Sequence, residues 1–189
     1  VYNYVGEICV EGIETFEEIL DSLKDKTILV LDKCWDCWDK VYALLKEKDM
    51  VDQTIFKFYL KDEEPMVWAK AHKDCIFIPM CGDPEMFPKL LELREHAGLP
   101  AVEILPHAED EPIFSDETFR WLEEHHIKVW CNSLSLARRL VYGAGYDDLK
   151  SLRYGGDKGW GVLIDKGVQI LQTDWPHEVA CYLKEKKMR

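Results

Sequence analysis

A chain of 189 residues with 36 acidic and 24 basic side chains has a net charge of −12 at pH 7 and a pI near 4.9. Such a surface repels phosphate backbones, which excludes non-specific nucleic-acid binding; a small anionic ligand would need a locally positive pocket or a bound cation. No apolar run reaches the roughly 18 residues of a membrane span. At 47% hydrophobic and 32% charged, the chain suits one globular domain over 1–189 with a sizeable core. Seven cysteines, an odd number in a chain of this length, point to reduced thiols and a cytoplasm-like compartment. The chain opens on Val1 rather than Met, so a natural start upstream is expected.

In chain order, Thr15-Phe16-Glu17-Glu18 has capping-box spacing and opens a helix with Phe16, Ile19, Leu20 and Leu23 on one face. Thr27 to Leu31 reads as a strand buried on both sides. The alternation continues with helix Val41 to Lys48, strand Thr54 to Leu60, helix Glu64 to His72 and strand Cys75 to Met80. Then come helix Pro84 to His96, closed by Gly98, strand Ala101 to Leu105, helix Ser115 to His125 and strand Ile127 to Cys131. Leu134 to Tyr142 is expected as helix and is followed by a Gly-rich loop, helix Gly159 to Lys166 and strand Val168 to Leu171. Asp174-Trp175-Pro176 is expected to cap a last helix, with Asp174 as N-cap. Short apolar strands between amphipathic helices mean a parallel sheet covered by helices, hence an α/β fold. The pace fits about six of the eight units of a TIM barrel, and an open doubly wound sheet fits the alternation equally well.

In either architecture function collects at the carboxyl ends of the strands. Those positions carry Asp32 and Lys33, then Lys57 and Tyr59, then Pro79 to Gly82. Further along they carry Glu103 and His107, Trp130 and Asn132, and finally Thr173 and Asp174. Lysines there could hold a phosphate as point charges, and an acid could ligate Mg²⁺ or Ca²⁺. No His, Asp and Glu cluster within a short window has metal-ligand spacing.

The order and wording of these pieces resemble the glycerophosphodiester phosphodiesterase family of the phospholipase C-like phosphodiesterases. Thr15 to Leu20 followed by Leu31-Asp32-Lys33 is similar to that family's "T-hydrophobic-E-E" helix and third strand. Asp52 to Lys57 resembles its fourth strand, and Val129-Trp130-Cys131-Asn132 its "VW-x-N" seventh. Gly167 to Pro176 resembles the "G-V-x-x-I-x-T-D-x-P" of its eighth strand and final helix. The resemblance implies a partial barrel and metal-assisted hydrolysis of glycerophosphodiesters to an alcohol and glycerol 3-phosphate. It also implies a substrate mouth lined by Lys33, Lys57, Glu103, Trp130 and Asn132, and a divalent cation, Mg²⁺ or Ca²⁺.

The family's "H-R" and "E-x-D" motifs, which carry its catalytic histidines and two metal ligands, are absent; no His precedes His72. The first two βα units are therefore expected to be missing, and the chain alone to have little or no activity. Where the family carries "E-x-K" on its third strand, Leu31 stands for the Glu. Either Asp32 takes over as metal ligand through a locally shifted strand end, or metal binding is lost. Two other readings compete. Cys34-Trp35-Asp36-Cys37 has thioredoxin-like C-x-x-C spacing, which would make a thiol-disulfide oxidoreductase. Alternatively the chain is a non-catalytic binding or assembly module, its open barrel edges covered in a homodimer or by a missing N-terminal segment.

Overall fold

Eight α-helices and seven short strands alternate along residues 12–135 and 141–187, which the computed structural model describes. The first helix, α1 (Phe16–Leu23), opens on the expected capping box. Glu18 N donates to Thr15 Oγ1 at 3.2 Å, and Thr15 N donates to Glu18 Oε2 at 2.7 Å. There follow β1 (Leu29–Leu31), α2 (Trp38–Lys48), β2 (Thr54–Phe56), α3 (Glu63–Ala71), β3 (Ile76–Phe77) and β4 (Met80–Cys81). The second half runs α4 (Pro88–Arg94), β5 (Ala101–Ile104), α5 (Asp116–Glu124), β6 (Lys128–Asn132), α6 (Asp148–Tyr154), α7 (Trp160–Lys166), β7 (Ile170–Gln172) and α8 (Pro176–Glu185).

Every strand pairing is parallel, in the orders β1-β2-β3 and β4-β5-β6-β7. The two groups join through the continuation of β2. Ile78 N donates to Phe56 O at 3.0 Å, Met80 N to Phe58 O at 2.7 Å, and Leu60 N to Met80 O at 2.9 Å. β3 and β4 are thus two halves of one stave, parted at Ile78-Pro79. Pro79 has no N–H for the ladder, while its carbonyl accepts from Glu103 N at 2.9 Å. The result is a curved arc of consecutive parallel staves with helices outside, the architecture of a partial TIM barrel.

Strand alternation divides the side chains between two surfaces. Leu31, Phe56, Phe58, Phe77, Val102, Ile104, Val129 and Cys131 turn outward into the main core, against Leu20, Leu45, Met66, Leu90 and Leu122 of the helices. Ile78, Ala101 and Trp130 form a separate inner cluster, with Ile55 and Ile170 packed on it. This inner surface closes well at its centre and stays open at the β1 side, where Ile28 is 65% and Val30 41% exposed.

Three sequence expectations need correction. Of the helix expected over 134–142, residues 136–140 lie outside the described residues, and Leu134, Ser135, Val141 and Tyr142 are not helical. The segment read as a Gly-rich loop instead contains α6, capped by Asp147 Oδ1, which accepts from Lys150 N at 2.7 Å. Asp174 is not the N-cap of α8; Trp175 is, without a side-chain cap bond, and Pro176 takes the first helical position. The Asp174 N–H donates at 3.1 Å to Asp148 Oδ2, so this backbone is tied to a partner far away in sequence.

Candidate functional site

The inner surface carries its polar groups in rows set by strand register. The Leu31–Phe56 and Phe56–Phe77 pairs put Asp32, Lys57 and Ile78 in one row. One row nearer the carboxyl ends come Tyr59, Met80, Glu103, Trp130 and Ile170. Asn132 pairs with Gln172 in the row above. Of the residues expected to line the mouth, Lys57, Glu103, Trp130 and Asn132 therefore share one face, together with Asp32, the expected metal ligand. Lys33 does not share it: it follows the strand end on a left-handed turn (φ 56°) and is exposed at the rim.

Lys57 and Glu103 are each only 2% exposed. Lys57 Nζ lies 2.5 Å from Glu103 Oε2 and 5.0 Å from the centre of the Trp130 ring. Lys57 therefore does not snorkel to water; its ammonium is neutralised by a carboxylate and an indole face. Burial pushes the Glu103 carboxyl above its ordinary range, and the Lys57 charge offsets part of that rise. Asp32 adds to the rise, which places it within electrostatic reach of the pair. It gains this position with no shifted strand end, because Leu31 is the residue that turns outward into the helix layer. Among the described residues Trp130 Nε1 and Gln172 Oε1 are buried with no hydrogen-bond partner, and Asn132 Oδ1 accepts from Leu134 N at 2.8 Å.

Where Tyr59 and Met80 of this face stand, a cleft of about 390 Å³ opens, lined also by Lys61, Asp83, His107 and Tyr142, among others. Sequence reasoning had set Tyr59, Met80 and His107 at strand ends but not Lys61 or Tyr142, since neither lies within a strand. The Tyr59 phenol is pushed up by burial and then by the acidic groups around it, Tyr142 first and then Asp32 and Glu103. His107 Nδ1 stands 2.6 Å from Val141 O, which fixes the ring at the cleft wall.

Beside the last two strands sits Asp148, fully buried and with no cationic partner among the described residues. Its Oδ1 accepts from Ser133 Oγ at 2.7 Å, Trp160 Nε1 at 2.8 Å and Thr173 Oγ1 at 2.8 Å. These bonds make it a latch between the loops after β6 and β7 rather than a free acid. Its signal in the sequence, the Asp147-Asp148 pair ahead of Leu149 and Leu152, is a helix start.

The C-x-x-C segment forms a single 3₁₀ turn ahead of α2. Burial, and then Cys37, push the Cys34 thiol above its ordinary value, and the Cys37 thiol donates to Cys34 O at 3.3 Å. An activated thiolate needs the opposite shift, so the oxidoreductase reading loses its support.

A fold of parallel βα units with its polar groups gathered at the strand ends defines the class. A glycerophosphoryl diester phosphodiesterase from Parabacteroides distasonis is similar to 98% of this chain, with a TM-score of 0.71 at 17% identity. The chain spans 60% of the length of that enzyme. The family model DUF4996, described as a domain of unknown function, matches residues 79–183, more than half of the chain, and the chain belongs to that family. Among curated proteins none matches.

Proposed function

We propose that the chain is the C-terminal portion of a glycerophosphodiester phosphodiesterase-like barrel, and that its mouth takes a small phosphodiester. The observation that carries this reading is the gathering of Asp32, Lys57, Glu103, Trp130 and Asn132 on one inner face, whose Tyr59 and Met80 line an open cleft, in a fold shared with such an enzyme. In this reading Lys57, Glu103, Trp130 and Asn132 line the mouth from the inner face, and Lys33 stands at its rim. Because Glu103 already neutralises Lys57, a phosphate in the cleft meets Lys61 as a cation of the lining, with His107 and the Tyr59 and Tyr142 hydroxyls as further donors.

Mg²⁺ or Ca²⁺ requires several oxygen ligands. Among the described residues no group of three His, Cys, Asp or Glu could hold a metal. Glu103 is held by Lys57, which leaves Asp32 as a single acidic ligand. The described residues do not make a cation site by themselves. Without a general acid and base of the family type, the chain alone binds its ligand and hydrolyses it little or not at all.

Titration with glycerophosphoethanolamine, followed by ³¹P line broadening, tests the binding. The expected result is saturable binding weakened at least fivefold by Lys61→Ala combined with His107→Ala. Unchanged affinity in that double variant would move the phosphate elsewhere, and no binding at all would remove the mouth as a phosphodiester site.

A further inference from the structure

A surface helix ordinarily turns its apolar residues inward and its polar ones to water. α6 does the reverse. Asp148 and Ser151 are buried, while Leu149 is 53%, Leu152 40% and Tyr154 66% exposed. Bonding fixes the inversion: beside the Asp148 latch, Ser151 Oγ donates to Asp147 O at 3.0 Å and accepts from Trp160 N at 2.9 Å. The leucines cannot turn inward without breaking these buried bonds. Single exposed leucines are ordinary, but a helix held with its apolar face outward leaves that face for something else to cover.

The face extends beyond α6. Thr173 Oγ1 donates to Asp148 Oδ1 at 2.8 Å and accepts from Trp175 N at 2.9 Å, which ties the turn carrying the exposed Trp175 to the start of α6. Arg153 and Lys158 are exposed in and just after α6, and among the described residues neither is in an ion pair. The neighbouring Asp157 is paired with Lys186 Nζ at 2.7 Å and accepts from the Tyr182 hydroxyl at 2.8 Å. Against the two bases stands the exposed Asp174. Leucines among a Tyr, a Trp and unpaired bases are the side chains that suit a lipid interface. The leucines enter the acyl boundary, the aromatic rings sit at headgroup level, and the bases meet lipid phosphates.

The segment that carries α6 leaves the carboxyl end of β6. Its Tyr142 lines the cleft, and its Ala144 N donates to Pro106 O, in the loop after β5, at 2.9 Å. α6 therefore stands at the end of the sheet where the cleft opens. We infer that the face made by Leu149, Leu152, Tyr154 and Trp175, with Arg153 and Lys158, docks on the surface of a zwitterionic phospholipid bilayer. Such a bilayer offers phosphates to the two bases without the long-range repulsion that a chain of net charge −12 meets at an anionic one. The contact lies on the bilayer; among the described residues no helix is long and apolar enough to cross one. Docking does not depend on the phosphodiester reading, whereas its use, bringing lipid headgroups to the mouth, rests on that reading.

Co-sedimentation of the whole chain with vesicles of phosphatidylcholine and phosphatidylethanolamine tests the docking. Saturable binding is expected, and Leu149→Ser with Leu152→Ser should weaken it at least tenfold without shifting the melting temperature, since both side chains are exposed. Arg153→Gln with Lys158→Gln should weaken it at least threefold. Brominated lipid should quench part of the tryptophan emission, and Trp175→Phe should remove that part. No sedimentation with vesicles, an unaffected serine variant, or quenching that persists in Trp175→Phe would each overturn the inference. Self-association that the serine variant abolishes, without vesicle binding, would give the face to a second copy of the chain and overturn it too. Lys61→Ala with His107→Ala, which weakens phosphodiester binding in the mouth, leaves vesicle binding in place, so the two readings fail separately.

Discussion

Lys57 and Glu103 show how much a single charge pair constrains the inner face of this sheet. Both are out of water, so each depends on the other, and the Trp130 ring lies beside the ammonium. Removing only one partner leaves an uncompensated buried charge, a loss of about 3 to 5 kcal/mol. Lys57→Met, which strands the Glu103 carboxylate, should therefore lower stability by about 3 kcal/mol in urea unfolding at neutral pH, and Lys57→Met combined with Glu103→Leu should recover most of it. The pH dependence follows from the raised Glu103 carboxyl. The folded protein keeps its proton at pH values where the unfolded chain has released it. This contribution to stability is therefore fully present below the ordinary glutamate value of 4.5 and is lost as pH rises through the raised one. Urea midpoints measured across that window should show the decline, and Glu103→Gln should flatten it. A midpoint independent of Glu103 ionisation would mean that the carboxylate is solvated.

The last third of the chain depends on α6 and its buried Asp148. One carboxylate oxygen accepts three side-chain hydrogen bonds from the loops after β6 and β7 and from α7, while the other accepts the Asp174 N–H. Hydrogen bonds to a charged group are worth about 1.5 to 3 kcal/mol each and are not additive. Asp148→Ala should cost at least about 3 kcal/mol and expose the Trp160 indole to solvent, read as a red shift of its emission. A loss below about 1 kcal/mol would show that the loops hold without the latch. This element was also the least legible in the sequence. The strands announced themselves as compact apolar runs; the burial on both faces expected of them holds at Ala101–Ile104 and fails at β1, where Ile28 and Val30 are exposed. The box at Thr15 was equally plain, since its bonds are local. The helix at Asp148 was hidden by the glycines around it, and Asp174 looked like a cap because its true partner lies 26 residues earlier. Long-range bonds leave no periodicity to read.

At the scale of the whole molecule, the alternation predicted the parallel sheet and put Lys57, Glu103, Trp130 and Asn132 near strand ends, while their place in one mouth was implied only by the family resemblance. It could not show that Lys57 is already paired, because that depends on register between β2 and β5, which are not neighbours in sequence. The same register settled Asp32: Leu31 belongs to the outer core, so the aspartate faces inward without distortion. The inner surface also stays exposed at Ile28 and Val30, beside a strand edge with no partner among the described residues. Such an edge favours association. Light scattering of the purified chain should show a dimer that Ile28→Lys with Val30→Lys returns to monomer; a monomer at all concentrations would mean that the open face is tolerated.

The central claim is that this barrel portion receives a phosphodiester without being able to cleave it alone. A ³¹P time course on glycerophosphoethanolamine with the purified chain, run with Mg²⁺ and again with Ca²⁺, tests that most directly. The account predicts a diester resonance that broadens with protein and keeps its full intensity over hours. A growing phosphomonoester resonance, abolished by Asp32→Asn, would contradict it and place a working catalytic site within these residues.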